Sequence, residues 1–192
     1  MRVIAGAAGG IRLDVPKTDV RPTMDRVKAA IFSSLGEEII GARVLDLFAG
    51  TGALGIEALS RGAASALFVE ENSAAIRAIE RNLARTKLEG RIRRQDVFAF
   101  LRSTQPREPF KIIFADPPYE KTKAGGEFTS LLLEDPQLAE MLEPSGIFVL
   151  EKRPAEQRPR MPLWNVARAR AYGATEVLFL QRAGIPAEVR AR

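Results

Sequence analysis

The sequence of 192 residues lacks two residue types that many enzymes depend on, because it contains no His and no Cys. Without Cys there is no disulfide framework, no thiolate nucleophile and no Cys-bearing zinc site. Without His there is no Ser-His-Asp triad, no imidazole general base and no imidazole metal ligand. Any catalysis must therefore use carboxylates, hydroxyls, amines, backbone groups or a bound cofactor, and we expect no metal.

Long apolar runs are also missing. No stretch approaches the ~20 residues of a membrane-spanning helix, and the first residues do not resemble the apolar core of a signal peptide. We therefore expect a cytoplasmic protein, and a monomer by default. A chain of this length predicts one domain, at roughly 100–200 residues per domain. We expect an N-terminal extension over residues 1–41 and a catalytic core over residues 42–192.

The charge balance is weakly basic, with 29 Lys and Arg against 24 Asp and Glu. Lys and Arg are concentrated in two stretches, residues 91–111 and the tail from Glu151 onward. A basic surface favours polyanionic partners such as nucleic acid, although a net charge of +5 does not identify the partner.

The N-terminal extension begins with two short apolar segments around a glycine-rich turn. Residues 2–5 and 11–15 flank the turn at residues 6–10, which predicts a small hairpin. Further along, Thr23 is placed to cap a helix over Met24–Leu35.

From residue 42 onward, short apolar segments alternate with helical patterns, which predicts βαβ units and a mostly parallel sheet with helices on both faces. Near the C-terminus, Trp164–Arg170 and Thr175–Gln181 flank a turn and predict an antiparallel hairpin at the sheet edge, giving seven strands. The other predicted strands are Arg43–Phe48, Ser65–Glu70, Arg91–Gln95, Phe110–Ala115 and Gly146–Leu150, and the predicted helices are Ala53–Arg61, Ser73–Lys87, Val97–Ser103 and Phe128–Leu142.

Four of these strands end in or before an acidic residue. Asp46 and Glu70 lie near the ends of the first two predicted strands, and Asp96 and Asp116 directly follow the third and the fourth. Since ligands of open α/β sheets bind outside the carboxyl ends of the strands, we expect these four acids on one rim.

The turn after the first strand, Gly50-Thr-Gly-Ala-Leu-Gly55, matches the glycine pattern of dinucleotide-binding proteins, and Glu70 stands where their ribose-binding acid would be. However, Asp46 would repel a pyrophosphate at this turn. A carboxylate here suits S-adenosylmethionine, which carries a sulfonium and an ammonium group but no phosphate. Glu70 would then accept bonds from the ribose hydroxyls. Asp96 would accept from the adenine amine, or serve only as a helix cap.

The second motif is Asp116-Pro-Pro-Tyr119, directly after the fourth strand. Two successive prolines give a rigid backbone with outward-facing carbonyls. Asp116 and the Pro117 carbonyl could accept both N–H groups of an exocyclic base amine, which would localise its lone pair for methylation. Tyr119 could stack on a base that has left its own stack. Methylation at C5 of a pyrimidine normally uses a Cys nucleophile, so nitrogen is the expected acceptor.

The two motifs resemble class I S-adenosylmethionine-dependent amino-methyltransferases, which have a Rossmann-like fold. Narrower features are similar to bacterial 16S ribosomal RNA guanine-N2 methyltransferases of the RsmD type. These features are Arg2-Val-Ile-Ala-Gly6, Arg21-Pro-Thr-x-Asp-Arg-Val27, Leu45–Arg61, Asn82-Leu83 and Tyr172-Gly173, so the resemblance covers nearly the whole chain.

The resemblance implies that S-adenosylmethionine binds at the glycine turn and that the Asp-Pro-Pro-Tyr motif is catalytic. It implies 16S ribosomal RNA as the partner, within a small subunit or an assembly intermediate. With their neighbours, the candidate cofactor residues are Asp46, Phe48, Ala49, Gly50, Thr51, Gly52, Glu70, Glu71, Asp96 and Val97; the catalytic candidates are Asp116, Pro117, Pro118 and Tyr119; and the RNA-binding candidates are Arg2, Arg12, Arg21, Thr23, Arg26, Lys121 and Lys123.

Two other functions remain open. The Asp-Pro-Pro-Tyr motif is shared with adenine-N6 and cytosine-N4 methyltransferases of DNA or RNA, although these usually carry an additional recognition domain. A non-catalytic RNA-binding protein of ribosome assembly is the alternative from another class, and the presence of Asp46, Glu70 and Asp116 argues against it.

Overall fold

The computed structural model describes residues 1–15, 23–104, 108–118, 128–153 and 161–184. The chain divides into two compact units, Met1–Thr104 and Gln105–Arg192. Among the described residues, no helix combines the length and the apolar character needed to cross a membrane.

The first unit contains the N-terminal extension and the first three strands. Its helices and strands are α1 (Thr23–Leu35), a short 3-10 helix (Gly36–Ile39), β1 (Arg43–Leu47), α2 (Ala53–Ser60), β2 (Ser65–Glu70), α3 (Ser73–Thr86), β3 (Arg91–Arg94) and α4 (Val97–Ser103). The sequence predicted each of these elements to within one residue, except the 3-10 helix.

Local features of the backbone and side chains define both ends of α3. Asn72 accepts hydrogen bonds from the backbone N–H groups of Ala74 and Ala75 at the start of α3. At the other end of α3, Lys87 adopts a left-handed conformation with φ 57°. Such a residue ends a helix because its backbone cannot continue the right-handed path.

The three strands of the first unit lie in the order β3-β2-β1, and both pairings are parallel. Val44, Leu45, Leu47, Phe68 and Val69 are completely buried. Continuous apolar runs of this kind are typical of parallel strands covered on both faces.

The second unit contains β4 (Phe110–Ala115), α5 (Phe128–Glu134), α6 (Pro136–Met141), β5 (Leu142–Lys152), β6 (Trp164–Tyr172) and β7 (Thr175–Arg182). Its strands lie in the order β4-β5-β7-β6. The pairing of β4 with β5 is parallel, whereas β7 is antiparallel to both β5 and β6. The predicted antiparallel C-terminal hairpin is therefore confirmed, as is the α/β class with a mostly parallel, seven-stranded sheet.

One predicted helix was wrong. The single helix expected over Phe128–Leu142 is interrupted at Asp135, which has extended backbone angles and caps α6 through a bond from the Leu138 N–H. Proline at 136 disfavours a helical conformation for the residue before it and lacks the N–H that would continue α5. The following strand, β5, also begins at Leu142 rather than at the expected Gly146.

Candidate active site

Three of the four carboxylates expected at one edge of the sheet lie in the first unit. Asp46, Glu70 and Asp96 stand at or just after the ends of β1, β2 and β3. Because these strands are parallel, their carboxyl ends lie at the same edge of the sheet. Each of the three carboxylates accepts a backbone N–H bond.

Asp46 is 2% exposed, and its Oδ2 accepts a bond of 2.9 Å from the Gly55 N–H. Gly55 lies in the first turn of α2, so the carboxylate stabilises the positive end of that helix. A Cβ at position 55 would lie 2.3 Å from Cε1 of Phe68. Close packing against the sheet therefore explains this third glycine of the turn.

Glu70 connects the end of β2 to the glycine turn. Its Oε2 accepts from the Gly50 N–H at 2.8 Å, and its Oε1 accepts from the Asn72 N–H at 2.8 Å. The side chain is half-buried, and each carboxylate oxygen retains capacity for another donor. Glu70 thus orders the turn and can still accept bonds from a ligand.

The backbone of the turn is unusual. Gly50 and Gly52 have φ values of 55° and 75°, as glycine allows, but Phe48 also has a positive φ of 54°. A non-glycine residue in this region costs ~1–3 kcal/mol, and such residues cluster at functional sites. The conformation is held by the Glu70 bond to Gly50 and by a 2.7 Å bond from the Gly52 N–H to the Ala49 carbonyl.

Asp96, just after β3, is the third carboxylate of this rim, and its Oδ1 accepts from the Ala99 N–H at 2.8 Å and so caps α4. Beside it, the Phe98 and Phe48 rings form an edge-to-face pair with centroids 6.3 Å apart. Phe98 was not among the residues predicted from the sequence. Its position two residues after a strand-end acid, in the first turn of a helix, was the available signal.

The remaining cofactor candidates differ in accessibility. Ala49, Gly52 and Val97 are buried, Thr51 is half-buried, and Glu71 is exposed.

The catalytic candidates lie in the second unit, where Asp116, Pro117 and Pro118 follow β4 directly. Asp116 is half-buried, Pro117 is buried and Pro118 is exposed. Tyr119 lies outside the described residues.

The N-terminal extension is held by a buried side chain that the sequence analysis did not select as functional. Glu57 of α2 is 0% exposed and accepts bonds from the backbone N–H groups of Ile4 at 2.7 Å and Ala5 at 3.1 Å. It also pairs with Lys28 at 3.1 Å and with Arg61 at 2.7 Å. Burial lowers the pKa of the Lys28 ammonium, and the Glu57 carboxylate opposes that shift.

A second buried side chain, Asn82 of α3, connects the extension to the glycine turn. Its Oδ1 accepts from the Asp14 N–H at 2.6 Å, and its Nδ2 donates to the Asp14 carbonyl at 3.1 Å and to the Thr51 carbonyl at 3.0 Å. The extension and the turn therefore share one amide group, and displacing the extension would leave the buried Asn82 Oδ1 without its donor.

The RNA-binding candidates are only partly described. Arg2 and Arg12 form an antiparallel bridge in the extension, as the predicted hairpin requires, and Arg26 is exposed on α1. Thr23 is the first residue of α1 rather than the residue before it. Arg21, Lys121 and Lys123 lie outside the described residues.

No cluster of three or more acidic side chains suited to a metal ion occurs within the described ranges.

The mixed sheet and the carboxylate-held glycine turn are features of the Rossmann-like class I methyltransferase fold. A family model described as "Conserved hypothetical protein 95" matches residues 1–181. The chain belongs to this family, that of the RsmD-type methyltransferases.

The similarity of this chain to individual relatives extends over nearly their whole lengths. The chain is 39% identical to YlbH of Bacillus subtilis, a protein named as a candidate rRNA methyltransferase, over 96% of this chain and 100% of the relative. It is 35% identical to the Escherichia coli protein named Ribosomal RNA small subunit methyltransferase D, over 95% of this chain and 90% of the relative. Among solved structures, the candidate methyltransferase yhhF of Escherichia coli is 34% identical, with a TM-score of 0.79 over 95% of this chain and 97% of that one.

Proposed function

We propose that this protein transfers a methyl group from S-adenosylmethionine to the exocyclic N2 amine of a guanine in 16S ribosomal RNA. The observation that carries the proposal is its similarity to Ribosomal RNA small subunit methyltransferase D along 95% of the chain, which includes both the glycine turn and the Asp-Pro-Pro-Tyr motif. We further propose that it acts as a single-domain monomer in the cytoplasm, on the small subunit or its assembly intermediate.

The donor set of the first unit fits S-adenosylmethionine. Glu70 is half-buried at the strand edge and has lone pairs left for two ribose hydroxyls. The Asp46 carboxylate beneath the turn favours a cationic ligand over a pyrophosphate, because it already occupies the helix N-terminus where a phosphate would bind. The Phe48 and Phe98 rings offer an apolar surface for a purine next to Asp96.

When bound, S-adenosylmethionine supplies an electrophilic methyl group on a sulfonium sulfur. The chain would orient the nucleophile: Asp116 and the Pro117 carbonyl would accept the two N–H groups of the guanine amine and turn its lone pair away from the ring. Tyr119 would stack on the extruded base. One carbon–sulfur bond breaks as one carbon–nitrogen bond forms, and the methylated nitrogen then loses a proton to water. This chemistry depends on positioning and needs neither His nor Cys.

The test is methyl transfer from labelled S-adenosylmethionine to small ribosomal subunits from a strain that lacks the corresponding enzyme, with the modified base identified by mass spectrometry. We expect one N2-methylguanine. An N6-methyladenine or N4-methylcytosine would replace the proposal with the first alternative. RNA binding with no transfer to subunits, to free 16S RNA or to assembly intermediates would favour the non-catalytic alternative.

The role of Asp116 is tested in the same assay. We expect Asp116→Ala to retain S-adenosylmethionine affinity within a few-fold and to lose most of its turnover, about 100-fold or more, as when a positioned catalytic group is removed. The control is Glu140→Ala, which removes an exposed carboxylate from α6 of the same unit. Near-normal turnover in Asp116→Ala would contradict the proposed mechanism.

A further inference from the structure

The Asn82-Leu83 pair noted in the sequence has no role in the proposed chemistry, yet the Asn82 amide is buried between the extension and the glycine turn. Both of its hydrogens are used, by the carbonyls of Asp14 and Thr51, and its oxygen accepts from the Asp14 N–H. A group that faces two carbonyls has to be the nitrogen, so the contacts fix which way the amide points. The extension thus orients the amide through two bonds, and the third bond transmits that orientation to the turn.

The turn depends on such a support because its glycines make it deformable. Gly50 and Gly52 flank Thr51, and glycine adopts positive and negative φ almost equally well. The peptide between Thr51 and Gly52 is nevertheless fixed at both of its polar atoms. Its carbonyl accepts from Asn82 at 3.0 Å, and its N–H donates to the Ala49 carbonyl at 2.7 Å. Asn82 therefore holds the middle of the segment that the proposed function assigns to the methyl donor.

The extension is also anchored on α2, without the help of Asn82. Glu57 accepts two backbone N–H bonds from the extension. Ser60, the last residue of α2, donates through Oγ to the Ala5 carbonyl at 2.6 Å and accepts from the Ala8 N–H at 2.9 Å. Since α2 begins directly after the turn, the extension bonds to both helices that support the turn, α2 and α3.

We infer that Asn82 is a positioning residue through which the docked extension fixes the conformation of the glycine turn, so that docking of the extension and binding of S-adenosylmethionine are cooperative. This inference rests on the proposed function, since it takes the turn to be the place where the methyl donor binds. A ligand that binds only the ordered turn is favoured by whatever orders the turn. Linkage then requires the ligand to stabilise the docked extension by the same factor.

The first test is calorimetric titration of S-adenosylmethionine into Asn82→Asp. The carboxylate can still accept from the Asp14 N–H, but it replaces two donated bonds by repulsion from the carbonyls of Asp14 and Thr51. We expect binding to weaken by roughly 5–20-fold, which is within the usual range of coupling between two sites. The control is Thr86→Val, which removes a buried hydroxyl whose bonds lie within α3. It should lower the melting temperature and leave the affinity unchanged.

The second test displaces the extension without altering Asn82 or the turn. Gly6 has a φ of 85° and packs on the end of α2 that is remote from the turn, where a Cβ would lie 1.8 Å from the Ser60 carbonyl oxygen. Gly6→Ala therefore forces the extension away from α2. We expect it to bind S-adenosylmethionine about fivefold more weakly.

Gly10→Ala is the matched control for this second test. Gly10 has the same φ of 85°, so alanine suffers the same backbone strain, but a Cβ there would meet no atom within 4 Å among the described residues. The affinity of Gly10→Ala should stay within about twofold of wild type, as for an exposed substitution away from a site.

The reciprocal effect is measurable as hydrogen exchange of residues 1–15. S-adenosylhomocysteine lacks the reactive methyl group and can be kept bound during the measurement. We expect it to slow amide exchange in residues 1–15 of the wild type by a larger factor than in β7, which reports general stabilisation by the ligand. This additional protection of residues 1–15 should disappear in Asn82→Asp.

The outcomes distinguish this inference from the proposed function. If the wild-type protein does not bind S-adenosylmethionine, the proposed function fails. If it binds, but Asn82→Asp or Gly6→Ala binds as tightly as its control, the turn forms without the docked extension and only the inference is overturned. If Gly6→Ala does not fold, Asn82→Asp and the hydrogen exchange decide. Weaker binding by Asn82→Asp without additional protection of residues 1–15 in the wild type would then show that Asn82 supports the turn alone, which overturns the cooperativity.

Discussion

The first unit contains two sets of polar side chains that accept backbone N–H bonds, and they differ in how far along the chain they reach. Among the strand-end carboxylates, Asp46 bonds to a residue 9 positions away and Asp96 to one 3 positions away. Glu70 bonds to two residues, which are 20 and 2 positions away. The anchors of the extension reach much further, since Glu57 bonds to residues 52 and 53 positions away and Asn82 to one 68 positions away.

This difference separates two tasks. The short-range set shapes the glycine turn, binds the first turn of α2 and caps α4, which are local features of a ligand site. The long-range set attaches the extension to α2 and α3, which is a matter of tertiary stability. Because Glu57 and Asn82 are completely buried, their polar atoms depend entirely on protein partners.

The largest effect on stability is expected from Glu57→Ala. The substitution leaves the Lys28 ammonium buried without its carboxylate, and it leaves the N–H groups of Ile4 and Ala5 unpaired. Removing one partner of a buried ion pair costs about 3–5 kcal/mol of unfolding free energy, measurable by urea denaturation.

Glu80→Ala on the exposed face of α3 is the control, with an expected change within about ±0.5 kcal/mol. A loss below about 1 kcal/mol in Glu57→Ala would show that the extension does not depend on this anchor.

An intermediate effect, on ligand binding more than on folding, is expected from Asp46→Asn. The amide retains an oxygen that can accept from the Gly55 N–H, so stability should fall by about 1 kcal/mol. The negative charge is lost, and we expect roughly tenfold weaker S-adenosylmethionine binding by calorimetry, which corresponds to about 1.4 kcal/mol.

If Asp46→Asn keeps its affinity for S-adenosylmethionine but loses as much stability as Glu57→Ala, the strand-end carboxylates would serve stability in the same way as the anchors of the extension. Glu80→Gln, which removes an exposed carboxylate from α3 of the same unit, serves as the control for loss of charge alone.

The smallest effect is expected from Asp14→Asn. Asp14 pairs with Arg81 at 2.6 Å, but both side chains are about half exposed, at 40% and 54%. Exposed pairs contribute about 0–1 kcal/mol and are screened by salt. The Asp14 backbone remains bonded to Asn82, so thermal melts at low and high salt should differ little from wild type. A loss of unfolding free energy comparable to that of Glu57→Ala would mean that this exposed ion pair, and not the buried anchors, attaches the extension.

The sequence predicted the bounds of helices and strands correctly wherever a local signal marked the end of the element. β2 and β4 have the bounds expected from their apolar runs, and α4 begins after its predicted cap at Asp96. The helix over 128–142 was wrong because apolar spacing outweighed the Asp135-Pro136 boundary, which is itself a local signal of helix interruption.

For the candidate site, the sequence predicted where the acidic residues lie but not what they contact. The three carboxylates of the first unit could be placed at one sheet edge, because parallel strands bring their carboxyl ends together. Which atoms those carboxylates bond to could not be predicted, and neither could the pairing of Phe48 with Phe98, since both depend on the conformation of the turn.

The sequence by itself determined the available chemistry, because the absence of His and Cys leaves carboxylates, a proline-fixed carbonyl and aromatic rings. It also determined the alternation of strands and helices. Only the tertiary structure decided that Glu57 and Asn82 hold the extension. The physical reason is sequence distance: caps and strand ends involve neighbouring residues, whereas contacts across 50 or more positions leave no periodic trace and exist only once the chain has folded.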